Sequence, residues 1–184
     1  MDTEDKRSIE EISLSISGSF PHVPGPITQS VYKMYNQKVA RIDILDINKF
    51  NCVSGPTVTI SGNNIIIMTA TFQAQWDDHF SASVKVLVTL GSRGEEGKPE
   101  IDTREVTFTM RGDDPTNIPN QIKEIDGKVT ECYLLDVEGH KGAEFSVKKI
   151  DNRAVECFGG FVADPDSKEP LEAKVKALVI VEKS

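Results

Sequence analysis

The stretch "FSASVKVLVTL" (80–90) decides the fold class, because apolar side chains stand at every second position of it. Phe80, Val84 and Val88 share one face of an extended chain, and Lys85 lies on the opposite face. Side chains alternate between the two faces of a β-strand, so this pattern predicts a strand with one buried and one solvated face. Such strands are typical of antiparallel sheets.

The same alternation recurs along the chain. It is clear in "ISLSISGSF" (12–20) and in "LEAKVKALVIV" (171–181), and turn-forming residues separate the other apolar runs. Many short strands with frequent turns predict an all-β protein, an antiparallel β-sandwich of jelly-roll type with about ten to eleven short strands. No internal repeat at the period of a propeller or a solenoid is visible. The other predicted strands are 27–35, 38–46, 57–61, 64–75, 103–110, 129–137, 143–149 and 154–163.

One segment has helical spacing. Ile118, Ile122 and Ile125 of "NIPNQIKEIDG" (117–127) would lie on one face of a helix. No segment shows a convincing helical stripe, and this one is only the best candidate: Pro119 and Gly127 would bracket a helix of about two turns at most.

Composition and charge narrow the class of protein. The chain has 184 residues, a length that predicts one domain, which we place at residues 9–184 after a flexible acidic arm at 1–8. Its net charge is −8. An acidic surface repels phosphate, so we expect no nucleic-acid partner. The longest apolar runs, "IIIM" (65–68) and "ALVIV" (177–181), are far too short to cross a bilayer. The sequence therefore predicts no signal peptide and no membrane span, and membrane contact only if an anchor is missing from this chain.

The run "WDDH" (76–79) is the strongest candidate for a chemical site. It lies between two alternating runs, where aspartates favour a tight turn, and a hairpin tip is the interpretation we prefer. A metal site would need a further ligand, and His22 and His140 both lie in predicted loops. The three cysteines, which are scattered, do not form a zinc pattern. We predict no catalytic residue, no metal site and no cofactor, and hence no enzyme.

The tripeptide Arg111, Gly112 and Asp113 opens a polar loop and is a candidate interaction site. In an exposed loop, an Arg-Gly-Asp sequence can engage an integrin through its two charged side chains. The alternative is coincidence at the start of a turn, and we favour it because a three-residue match is weakly specific.

One family resemblance is present. The predicted hairpin, with Thr71, Phe72 and Trp76 followed by Asp77 and Asp78, resembles the central hairpin of the major envelope proteins of white spot syndrome virus, which have an aromatic residue and two asparagines at this turn. Further similarity lies in "ISLSISGS" (12–19), in "YNQKVARIDI" (35–44) and in residues 145–183, including "VECFGGFVA".

This resemblance implies a jelly-roll sandwich and a structural role in a virion, in the envelope or tegument. The expected partners are other virion proteins or the chain itself, as a homo-oligomer with a trimer as one option. Residues 1–11 lack the hydrophobic segment of the envelope members, which places membrane anchoring in doubt. The alternative is a soluble, cytoplasmic β-sandwich that binds a partner protein or a small ligand through its loops.

Overall fold

The computed structural model describes residues 7–19, 26–73, 79–91, 101–139, 143–161 and 171–182. It confirms the all-β class: twelve strands, all paired antiparallel, account for most of these residues. The strands are β1 (Ile9–Ser19), β2 (Ile27–Met34), β3 (Val39–Phe50), β4 (Cys52–Ser61), β5 (Ile65–Phe72), β6 (His79–Leu90), β7 (Ile101–Gly112), β8 (Gln121–Glu124), β9 (Lys128–Gly139), β10 (Ala143–Asp151), β11 (Ala154–Phe161) and β12 (Leu171–Glu182).

The best helical candidate, 117–127, contains a strand instead, and the described residues form twelve strands where about ten to eleven were expected. Strand β8 lies within this segment and pairs with β11, where Ile122 stands opposite Glu156. Ile118 and Ile125 are buried, whereas Ile122 is 58% exposed, so the three isoleucines do not form one stripe. The free edge of β11 offers backbone hydrogen bonds that a short, proline-containing helix cannot match. In the described part of the chain, no helix is long and apolar enough to cross a membrane.

The strands form four three-stranded sheets, which we name A to D. Their strand orders are β1-β6-β3 in sheet A, β2-β5-β4 in sheet B, β7-β12-β9 in sheet C and β8-β11-β10 in sheet D. One apolar core lies between sheets A and B, and another lies between sheets C and D. A third apolar cluster joins sheet B to sheet C. The four sheets are therefore stacked as successive layers in the order A, B, C, D.

The first six strands and the last six strands have the same topology. In each set the first strand pairs with the sixth, the second with the fifth, and the sixth also pairs with the third. We call β1–β6 repeat 1 and β7–β12 repeat 2. The nested strand order is compatible with a jelly roll, and that finer assignment stays a prediction, as does the single domain over residues 9–184.

Backbone hydrogen bonds recur at matching positions in the two repeats. The amide of Val39 donates to the carbonyl of Asn63 at 2.6 Å, and the amide of Val129 donates to the carbonyl of Asn152 at 2.7 Å. The next turn residue accepts in the same way in each repeat. The amide of Tyr35 donates to the carbonyl of Asn64, and the amide of Ile125 donates to the carbonyl of Arg153. The turn before β5 and the turn before β11 are therefore held by the same contacts.

The amino-acid sequence retains traces of this repeat. "KVARIDILDI" (38–47) matches "KVTECYLLDV" (128–137), and both strands carry a β-bulge, at Leu45 and at Leu135. "ASVKVLV" (82–88) matches "AKVKALV" (173–179) in the same way. Because the bulges coincide, the register fixes residue-by-residue counterparts. Leu87 and Leu178 are one such pair, opposite Asp43 and Tyr133 of the neighbouring strands.

The junction between the repeats buries the outer faces of sheets B and C. Its apolar centre consists of Ile65, Ile67, Ile101, Leu178 and Ile180. Hydrogen bonds at the margin of this centre include those from Gln29 Nε2 to Asp136 Oδ1 at 2.9 Å, from Ser61 Oγ to Glu131 Oε2 at 2.5 Å, and from Tyr32 OH to Glu105 Oε1 at 2.8 Å. The central strands β5 and β12 are consequently buried on both faces.

We predict that Leu178→Ala destabilises the chain far more than Leu87→Ala. Leu178 is fully buried at the junction, so its truncation should lower the free energy of unfolding by about 2–5 kcal/mol. Leu87, at the matching position of repeat 1, lies on the outer face of sheet A and is only half-buried, so it provides a matched control. Urea unfolding followed by tryptophan fluorescence and circular dichroism would measure both changes. Equal losses in the two variants would contradict the stacking of sheet B on sheet C.

Candidate functional site

The clearest exposed apolar surface of the described residues lies on β3 and the start of β4. Ile44, Leu45, Ile47, Phe50 and Val53 are each between 44% and 60% exposed, and all lie within ten consecutive positions. We call these five residues the apolar edge. Ile44 and Ile47, opposite Val86 and Val84, lie on the face of sheet A that is turned toward sheet B. Exposed apolar side chains grouped along one strand mark a candidate interaction site.

Repeat 2 shows what such a strand looks like when it is covered. Leu134 and Val137, the counterparts of Ile44 and Ile47, pack against the core of repeat 2. Leu135, the counterpart of Leu45, packs against the junction cluster. Strand β10 lies across β9 more extensively than β4 lies across β3, and β2 of repeat 1 also contacts β9. The apolar edge is thus a covered surface in one repeat and an open one in the other.

Charged residues are interspersed on the outer face of sheet A around this edge. Arg41 and Asp43 form an ion pair at 2.6 Å, and Lys85 lies 3.4 Å from Glu11. All four side chains are at least a third exposed. Exposed pairs of this kind contribute little to stability, but they keep a partly apolar face soluble.

Arg111 and Gly112 belong to the end of β7, and Asp113 is the first residue after it. Arg111 Nε pairs with Glu172 Oε2 of the adjacent strand at 2.8 Å. A Cβ at Gly112 would lie 2.3 Å from Cδ1 of Ile118, so a larger residue here would require the end of that side chain to shift. Of the two charged side chains, Arg111 is therefore engaged in a cross-strand ion pair, and Asp113 is exposed.

The "WDDH" cluster lies mostly outside the described residues, since Trp76, Asp77 and Asp78 are not among them, and neither are His22 and His140. The described member, His79, is exposed at the start of β6. Its Nδ1 is 2.8 Å from Ser19 Oγ, and its carbonyl accepts a hydrogen bond from Asn51 Nδ2 at 2.7 Å. Within the described ranges, no three His, Cys, Asp or Glu side chains are grouped to hold a metal ion.

A cleft of about 790 Å³ opens beside the junction, between the ends of β1 and β2 and the strands β9 to β11. The hydrogen bond from Gln29 to Asp136 forms part of its wall, and Glu144 and Phe158 also line it. The volume lies within the range of about 300–1,000 Å³ that is usual for small-molecule sites. Both repeats contribute polar groups, so a molecule bound there would contact both.

Two tyrosines at the junction have perturbed acidity. Burial, together with the hydrogen bond to Glu105, raises the pKa of Tyr32 to about 12. Burial and the hydrogen bond to Glu131 raise the pKa of Tyr133 to about 12. Each phenol donates to a carboxylate, which would repel a phenolate at the same place.

Cys157 has no sign of reactive-thiol character. It alternates into the core of repeat 2 and is fully buried, in agreement with the alternation of "AVECFGG". Burial raises the pKa of its thiol to about 12, so the thiolate is scarce at neutral pH.

Comparisons with protein-family models, with curated proteins and with solved structures give no match for this chain. The strand order defines the class of the protein, an antiparallel β-sandwich built from two topologically equivalent repeats. The resemblance to the viral envelope proteins stays a prediction.

We predict that stability falls at high pH because of the two junction tyrosines. A pKa raised in the folded state means that the neutral phenol is favoured on folding. This contribution is complete below about pH 10, the pKa of tyrosine in an unfolded chain, and is lost as the pH rises to about 12. Melting temperatures measured across this range should fall less for the double variant Tyr32→Phe/Tyr133→Phe than for wild type. Parallel curves would refute the role of these phenols, since lysine deprotonation is common to both proteins.

For the Arg-Gly-Asp tripeptide we expect no integrin-dependent activity, because Arg111 is engaged in a cross-strand ion pair with Glu172 and a three-residue match is weakly specific. The variant Asp113→Glu should leave the attachment of cells to protein-coated plates unchanged. Attachment that is present in wild type and abolished by Asp113→Glu would instead establish the tripeptide as the interaction site.

Proposed function

We propose that the chain is a non-enzymatic structural protein that acts by self-association and protein–protein contacts, with a virion as its setting. Self-association is supported by the apolar edge. The virion setting is supported by the resemblance of the 71–78 region and the terminal strands to the envelope proteins of white spot syndrome virus. Proteins of this kind act through surfaces, and their assemblies are symmetric or repeating.

The observation that carries the proposal is the difference between β3 and β9. The two strands match in sequence and share the same bulges, yet Leu45 is 49% exposed while Leu135 packs at the junction. Burial of an exposed leucine side chain contributes about 1.5–3 kcal/mol, so a partner that covered the apolar edge would gain several such contributions. A second copy of the chain could bind at the apolar edge and bury these side chains.

We expect wild-type protein at about 100 μM to form an oligomer, because an interface with a Kd of about 1 μM would be filled at this concentration. The variant Leu45→Lys should weaken association at least about tenfold, since it removes an apolar contact and places a charge in the interface. Size-exclusion chromatography with light scattering over a dilution series would measure both.

The matched control is Ile60→Lys. Ile60 is 37% exposed on β4, outside the apolar edge, and its counterpart in repeat 2 is Lys149, opposite Val155. A lysine is therefore compatible with this position of the fold, and the control should associate like wild type. A wild-type protein that stays monomeric throughout the dilution series would eliminate self-association as the function.

The cleft at the junction supports a second candidate, a soluble binding module for a small ligand or partner. Its carboxylates Asp136 and Glu144 favour a ligand with hydrogen-bond donors or positive charge. This function would give a monomer whose melting temperature rises with an added ligand, because binding to the folded state alone stabilises it.

A further inference from the structure

The junction within the chain shows how two of these repeats stack. The outer face of sheet B in repeat 1 lies on the outer face of sheet C in repeat 2, with Ile65 and Ile67 against Leu178 and Ile180. The hydrogen bond from Ser61 to Glu131 lies at its margin. These two faces form an interface with an apolar centre and a polar rim.

The ends of the molecule present the same two kinds of face. Sheet A of repeat 1 is the counterpart of sheet C of repeat 2. Sheet D of repeat 2 is the counterpart of sheet B of repeat 1. On sheet A, Leu87 and Leu45 stand at the positions that Leu178 and Leu135 occupy at the junction. On sheet D, Ile122 is the counterpart of Tyr32 and is 58% exposed, and the 42% exposed Ile150 lies on β10, the opposite edge strand of this sheet.

We infer that sheet D of one copy stacks on sheet A of the next copy, in the way that sheet B stacks on sheet C within the chain. This inference rests on the proposed self-association and names its geometry. The occupant of the outer face of sheet A, including Leu45 of the apolar edge, is a second copy of this chain.

Charge at the rim favours this pairing. Asp151 is the counterpart of Ser61, and Arg41 is the counterpart of Glu131. At the junction, the hydroxyl of Ser61 meets the carboxylate of Glu131. In the contact between copies, the carboxylate of Asp151 would meet the guanidinium of Arg41. Both residues are exposed, and Arg41 is 72% exposed at its side chain. Opposite charges at the margin of an interface steer association and fix its register.

The strand edge is a poorer route than the face. Bulges between Val39 and Arg41 and between Ile44 and Asp46 interrupt the ladder of β3. A bulged strand edge resists the addition of a further strand. Stacking through the face requires no new ladder.

Unlike faces give a heterologous contact. Among the described residues, sheet A at one end and sheet D at the other keep their outer faces uncovered, so the assembly would grow as an open chain or close into a ring. A two-fold dimer would instead pair sheet A with sheet A, or sheet D with sheet D. The two geometries respond differently when one face is blocked.

The first test blocks each face in turn. Leu45→Lys disables sheet A, and Ile122→Lys disables sheet D. Each variant alone should be monomeric under conditions in which wild type associates, and an equimolar mixture should give a species with the mass of two chains. An Ile122→Lys protein that still associates alone, or a mixture that stays monomeric, would overturn head-to-tail stacking while self-association itself survives. A monomeric wild type would overturn both.

The second test exchanges the rim charges. Arg41→Asp and Asp151→Arg should each weaken association about fivefold, and the double variant should return to within about twofold of wild type. Melting curves distinguish a local effect, because Arg41 also pairs with Asp43 and Asp151 also accepts from the amide of Arg153. Restored association in the double variant is expected, and losses that add would refute the pairing of these two residues between copies.

Discussion

The stacking of sheet B on sheet C is the interaction on which the rest of the structure depends. It converts two small three-on-three sandwiches into four continuous layers, and it buries β5 and β12 on both faces. A six-stranded sandwich has few residues that are dry on every side, so a shared apolar layer adds core to both repeats at once. The hydrogen bonds to Glu105, Glu131 and Asp136 fix the lateral position of the two sheets, which apolar contacts alone would leave free to slide.

Much of the fold was predictable from the period of two. Alternation identified β1, β6 and β12 nearly to their ends, because their side chains meet core and solvent in turn. Strand β8 was missed because its residues are exposed and its stability comes from a distant partner, β11. The runs "IIIM" and "ALVIV" contained the signal for the junction, since an unbroken apolar run in an antiparallel sheet indicates a strand covered on both faces.

The candidate surface was not predictable in the same way. Strict alternation would place Ile44 and Ile47, three positions apart, on opposite faces. The bulge at Leu45 brings both to the face of Val84 and Val86, where the position of β4 leaves them exposed. The repeat could have been found by aligning 38–47 with 128–137, but identities are few, and the spacing between matching strands varies with bulge and loop length. Arg111, Gly112 and Asp113 were identified by motif, whereas their surroundings, an ion pair and a close contact with Ile118, depend on strand pairing that no local pattern encodes.

The differences between the junction and the end faces have a physical logic. At the positions of Tyr133 and Ile67, the end faces carry Asp43 and Glu156, so they are more polar than the junction. The junction forms between faces on one chain, which meet at a high effective concentration, whereas faces on separate chains meet only at the concentration of the protein. An end face as apolar as the junction would aggregate during folding, and a fully polar one would not bind. In the proposed stacking between copies, apolar residues at Leu45, Leu87 and Ile122 among charged neighbours would give a contact that forms where the protein is concentrated and dissociates where it is dilute.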